Sequence, residues 1–105
     1  MVSTELEIME LITTAGESKS KAFEALKMVK DKKFNEAREL ISEARKIDVQ
    51  AHRIQTELIT RDISEDQESP AMNLLMVHAQ DHYMTSQLAK DLIETLIEVL
   101  ESTSK

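Results

Sequence analysis

The sequence predicts an all-α protein, an antiparallel bundle of three long helices forming a single domain over 1–105. Two observations carry this. One Gly, one Pro and three aromatic residues in 105 leave little from which to build strands and the turns between them. The apolar residues also recur every three or four positions through three long stretches, the period of a helix face rather than of a strand.

The first stretch runs Ile8, Ile12, Ala15, Ala22, Leu26 and Val29. Ser3 or Thr4 is placed to cap it, and acidic residues in the first turn suit the positive end of the helix dipole. Gly16 lies inside the pattern and weakens the helix there, which marks a kink or a close backbone approach; a four-helix arrangement would need the chain split at that point. The polar run Asp31-Lys32-Lys33 ends the stretch, and Lys30 to Lys33 reads as a solvated loop cluster.

The second face is Ala37, Ile41, Ala44, Ile47, Ala51, Ile54 and Leu58, giving a helix from about Asn35 to about Ile63. Ser64 to Ser69 is acidic and non-periodic and is expected to be the longest loop. Pro70 suits the first turn of the next helix, where its missing N–H has no helical partner.

The third helix carries the stripe Leu74, Val77, Asp81, Met84, Leu88, Leu92, Leu96 and Val99 up to a fraying Ser-Thr-Ser-Lys tail. Asp81 sits inside that stripe. Further apolar residues, at Leu75, Ala89, Ile93, Ile97 and Leu100, lie outside it, which is more apolar surface than two partner helices cover. Self-association is the expected use of the surplus.

Composition narrows the function. A formal charge of −7 works against binding phosphate backbones or anionic lipid surfaces, so neither nucleic acid nor direct membrane insertion is expected. There is no Cys, and Glu5, Glu7 and Glu10 interrupt the first apolar residues, which argues against a secretory leader and for a cytoplasmic setting.

The chemistry-bearing residues concentrate on helix three, in Val77-His78-Ala79-Gln80-Asp81-His82-Tyr83-Met84. At about 100° per residue, Asp81 lies about 60° to one side of His78 and His82 about 40° to the other, so the three share one arc. Three uses fit. His78 can act as a nucleophile toward a phosphoryl group, with Gln80, His82 or backbone groups as assisting donors. Two His and one Asp at i, i+3 and i+4 also have the ligand types of a 2-His-1-carboxylate metal centre. The third use is structural, with both His packed and hydrogen-bonded and Asp81 paired to a buried cation. Spacing alone leaves all three open. His52 reads as a satisfied polar residue at a stripe edge, the six Met as core filler, and no glycine-rich phosphate loop, Cys nucleophile or hydrolase Ser motif is present.

The run Val77-His78-Ala79-Gln80-Asp81-His82-Tyr83-Met84-Thr85 resembles the signature of the lactose/cellobiose family of phosphotransferase-system enzyme IIA proteins. Thr14-Ala15-Gly16-Glu17-Ser18-Lys19-Ser20, Phe34-Asn35-Glu36-Ala37 and Ala51-His52-Arg53-Ile54-Gln55-Thr56-Glu57-Leu58-Ile59 resemble that family in the same order and spacing, so the likeness covers essentially the whole chain. It implies a spectrin-repeat-like three-helix protomer assembled as a homotrimer. It also implies a transferase acting as a phosphohistidine relay: His78 takes a phosphoryl group on Nε2 from phosphorylated HPr, the histidine-containing phosphocarrier protein, and passes it to a cysteine of the IIB component. Asp81, by the same resemblance, stands at the trimer axis, where three copies would hold a structural divalent cation of the Mg²⁺ kind. Ala79 makes the motif look more like cellobiose- and diacetylchitobiose-type members than the lactose type, which tends to carry Gly there. A metal-organised helical scaffold without enzymatic activity is the alternative reading.

Overall fold

The computed structural model describes residues 4–63 and 74–104. Three helices make up almost all of it: α1 over Thr4–Met28, α2 over Phe34–Ile63 and α3 over Leu74–Thr103. The expected boundaries of helix two are met to within a residue. The expected loop from Ser64 to Ser69 and the position of Pro70 lie outside the described residues.

α1 is continuous through Gly16, so the chain is not split there. It opens with Glu5 and Glu7 in its first turn and closes with Lys27 in its last, charges of the sign that the helix dipole favours at each end. Thr4 is itself helical, and its hydroxyl accepts from Arg61 at 3.4 Å. The basic run after α1 is a structured connection. Val29–Asp31 form one 3₁₀ turn, Lys32 adopts the left-handed region at φ 58°, and its N–H returns to the carbonyl of Val29 at 3.0 Å. Lys32 thus does what Gly usually does after a helix, at greater steric cost.

Cross-helix bonds fix the directions. Arg38–Glu101, Arg45–Glu94, Lys90–Asp48, His52–Tyr83 and Gln55–Gln80 run up α2 and down α3, so these two helices are antiparallel. Arg61–Glu7, Ser18–Ala44 and Lys21–Glu43 do the same for α1 and α2. α1 and α3 are therefore parallel, and the bundle is a rod with extents of 58 × 20 × 20 Å.

Burial follows a seven-residue repeat. In α1 the buried positions are Ile8, Ala15 and Ala22 alternating with Leu11, Ser18 and Ala25, with Thr14 buried beside them. In α3 they are Met76, Tyr83 and Ile97 alternating with Ala79, Ser86 and Ile93, and the half-buried Lys90 fills the remaining position. Such a repeat keeps one seam of each helix turned to its neighbours. Many of these positions hold Ala or Ser, which lets the backbones approach closely.

The core is divided in two. One cluster gathers Ile8, Leu11, Ala15, Ala51, Ile54, Leu58, Met76, Ala79 and Tyr83, and the other Ala22, Ala25, Ala37, Ile41, Ala44, Ile93 and Ile97. Between them lies a polar layer. Ser18 Oγ donates to the carbonyl of Ala44 at 2.9 Å, Ser86 Oγ to that of Ala15 at 2.6 Å, and Lys90 Nζ to Asp48 Oδ2 at 3.2 Å. Each bond joins a different pair of helices, so together they fix the axial register that apolar packing alone leaves free.

The structure also decides between the two apolar faces of α3. The packed face is that of Met76, Ala79, Tyr83, Ser86, Ile93 and Ile97. Leu74, Val77, Met84, Leu88, Leu92, Leu96 and Val99 all lie exposed on the other side, with Asp81 exposed among them. No helix among the described residues is long and apolar enough to cross a membrane.

Candidate functional site

His78 lies on the rim between these two faces. Rotating from Asp81, at the middle of the exposed apolar face, one passes His78 and then His82 before reaching Ser86, which is bonded to α1. His78 is exposed and opens onto a shallow apolar recess that it lines with Leu74 and Leu75, one turn before it. His82 is half-buried in the groove between α3 and α1. The two imidazoles meet edge to face, with centroids 5.7 Å apart and planes at 84°.

On its far side His82 faces Gly16. A Cβ at that position would stand 3.6 Å from Cε1 and 4.0 Å from Nε2 of the ring. In place of the kink or close backbone approach expected at Gly16, its neighbour is a side chain at ordinary contact distance, one of the histidines of the arc. Nδ1 of His82 is buried without a hydrogen-bond partner.

Gln80 points elsewhere. Its Oε1 accepts from Gln55 at 3.2 Å and its Nε2 lies 3.8 Å from the sulfur of Met76, on the α2 side, about 200° round the helix from His78. Within the protomer the Gln80 amide thus serves helix packing and is not turned toward His78. His52 is likewise engaged: Nδ1 lies 2.9 Å from the phenol oxygen of Tyr83. The phenol is buried, which raises its pKa above the ordinary value, and the nearby Asp48 carboxylate raises it further against a lowering bond from Gln87. Tyr83 thus stays protonated at neutral pH and can donate to an unprotonated Nδ1.

The structural alternative for the arc is not supported. Asp81 has no ion pair among the described residues and is exposed, while His82 leaves a buried nitrogen unpaired. A metal centre within one protomer is not supported either, because no group of three or more His, Cys, Asp and Glu among the described residues could hold an ion. What the protomer presents is an exposed imidazole on a helix, in contact with a second imidazole and bordered by apolar surface.

A rod of three helices displaying such a histidine offers a shallow surface site rather than an enclosed substrate pocket. The model of the family described as "PTS system, Lactose/Cellobiose specific IIA subunit" matches residues 6–101. This chain belongs to that family, whose members are relay components of phosphotransferase systems. It is 39% identical over 95 residues to the lactose-specific EIIA component of Staphylococcus epidermidis, covering 90% of this chain and 89% of the relative. It is 42% identical over 94 residues to the N,N'-diacetylchitobiose-specific EIIA component of Escherichia coli K12, covering 90% of this chain and 79% of the relative. Among solved structures, the cellobiose-specific enzyme IIA of Bacillus anthracis superposes with a TM-score of 0.87 at 32% identity, over 97% of this chain and 93% of that one. The Escherichia coli IIA(Chitobiose) solved in complex with HPr superposes with a TM-score of 0.82 at 38% identity, over 97% of each chain. The all-helical fold and the family expected from the sequence are both found.

Proposed function

We propose that this protein is a cytoplasmic phosphocarrier that accepts a phosphoryl group on His78 from phosphorylated HPr and passes it to the cysteine of a IIB component. The observation that carries the reading is the placement of His78, exposed on α3 and flanked by Leu74 and Leu75, in a chain of the IIA family. The solved complex of a relative with HPr supports HPr as donor. In the first step the Nε2 lone pair forms a bond to phosphorus, the P–N bond to the donor histidine breaks, and its electron pair returns to the donor ring. In the second step a thiolate of IIB takes the phosphorus and the pair returns to His78. Such transfer needs positioning more than acid–base chemistry. The edge-to-face contact with His82 supplies part of it, and the apolar rim disfavours attack by water.

The working form is a homotrimer in which the exposed apolar faces of three α3 helices meet. A continuous exposed stripe of this kind is what self-association buries. Three Asp81 carboxylates would then approach one another and suit a hard divalent cation such as Mg²⁺. That ion would neutralise charge at the axis, leaving the phosphoryl chemistry to His78. For the sugar, relatives of lactose and diacetylchitobiose type are about equally similar, and Ala79 favours a β-linked disaccharide of the cellobiose or chitobiose kind.

Incubation with phosphorylated HPr should give a single phosphoryl adduct by intact-protein mass spectrometry in the absence of acid. His78→Ala should fold and give none, whereas His82→Ala should retain slower uptake. An undiminished adduct on His78→Ala refutes the assignment. Failure of the wild type to accept any phosphoryl group leaves the metal-organised scaffold as the reading.

A further inference from the structure

We infer that Gly16 is a positioning residue for the phosphoryl-accepting site: position 16 has room beside His82 for nothing larger than a Cβ, and His82 in turn holds the ring of His78. The inference deepens the reading of His78 as acceptor and rests on it. Gly16 is the one glycine of the chain, and it lies inside α1 without positive φ. The backbone there makes no use of glycine's conformational freedom, and a glycine in a helix interior weakens the helix relative to Ala. What the position sets is a limit on size: a Cβ would just come into ordinary contact, and His82 supplies both of the atoms that it would meet within 4 Å.

Two further observations turn that contact into a lever on His78. Four residues after His82, Ser86 Oγ donates to the carbonyl of Ala15 at 2.6 Å, pinning the spacing of α1 and α3 beside Gly16. The buried Nδ1 of His82 has no hydrogen-bond partner, so packing sets the orientation of its ring. That packing is Gly16 on one side and the edge-to-face contact with His78, 5.7 Å between centroids, on the other. Atoms added at position 16 push on His82, and His82 pushes on His78.

The test is a pair of substitutions in two backgrounds. Gly16→Ala places Cβ at ordinary contact distance from His82 and should leave the site unchanged. Gly16→Val adds branched atoms with little rotamer freedom in a helix and should displace the ring. Ring ¹⁵N and ¹³C signals of His78 in the unphosphorylated protein, and the initial rate of phosphoryl uptake from phosphorylated HPr, are the two readouts. Gly16→Val should shift the His78 signals and slow uptake about 10- to 100-fold, the scale of a small misplacement of a reacting group. In a His82→Ala background the same substitution should move neither readout further. Equal effects in both backgrounds, or no effect in the wild type, overturn the inference. Should Gly16→Val fail to fold alone, folding of the Gly16→Val/His82→Ala double variant supports the inference and its failure overturns it. The ring signals belong to the unmodified protein, so they decide the role of Gly16 independently of which histidine carries the phosphoryl group.

Discussion

Lys90 and Asp48 meet at 3.2 Å in the polar layer between the two apolar clusters, each with a side chain only 12% exposed. Both are turned inward between the helices, and Oδ1 of Asp48, the oxygen that Lys90 does not reach, is buried with no hydrogen-bond partner. Lys90→Met should destabilise the fold by about 3 kcal/mol in urea denaturation, because it leaves a buried carboxylate unpaired. Adding Asp48→Leu to it should recover much of that loss. Equal stability of Lys90→Met and wild type would show that water already solvates Asp48. The exposed pair Arg38–Glu101 should contribute about 0.5 kcal/mol or less, since solvent screens it.

Tyr83 sets an alkaline limit. Its phenol is held protonated in the fold, chiefly by burial and then by Asp48. The folded pKa lies above the unfolded one, so its contribution to stability is complete below about pH 10 and is lost as pH rises through the folded value. Melting temperature should therefore fall above about pH 10, and Tyr83→Phe should flatten that fall while costing stability at neutral pH through the lost bond to His52. A slope unchanged by Tyr83→Phe would assign the alkaline loss to other groups.

Lys32→Gly should stabilise the protein by about 0.5–1 kcal/mol. Lys32 is exposed at φ 58°, a conformation that a side chain with Cβ disfavours and Gly adopts freely. The gain is smaller than the full steric cost because Gly also loses more backbone entropy on folding. Chemical denaturation reads it directly, and a loss of stability would mean that the lysine side chain contributes contacts beyond its backbone role.

The helices and the inward face of α2 were legible because they depend on local period, and the family because its likeness rests on contiguous motifs. The inward face of α1 was partly hidden. Between Ala15 and Ala22 the apolar series takes a step of seven, and the gap is filled by Ser18, whose hydroxyl is buried because a carbonyl of α2 accepts from it. Asp48 was hidden for the same reason: its partner Lys90 lies 42 residues away on another helix. On α3 the period alone could not say which apolar face packs, since both are apolar. The packed face is marked by Ala79 and Ser86, small enough for close approach, and by Tyr83, whose hydroxyl reaches a partner on α2. Where Gln80 points was not legible in the motif, because its amide partner Gln55 lies on another helix. At two residues from His78, Gln80 projects from nearly the opposite side of the helix.

Asp81→Leu tests the assembly. Asp81 is exposed on the face that also exposes Leu74, Val77, Met84, Leu88, Leu92 and Val99, and an isolated carboxylate on such a face opposes burial unless its charge is met. In a trimer joined through this face, three copies face one another, and a divalent cation with oxygen ligands relieves their repulsion. Removing the cation with a chelator should therefore weaken the wild-type trimer, and restoring Mg²⁺ should reverse the effect. Asp81→Leu replaces the repelling charges with a side chain that matches its surroundings, so its trimer should be at least as stable and indifferent to chelator. Sedimentation equilibrium of both proteins, with and without chelator, separates the cases. Monomers throughout would refute assembly through this face, and a wild-type trimer that ignores chelator would refute the ion while keeping the interface.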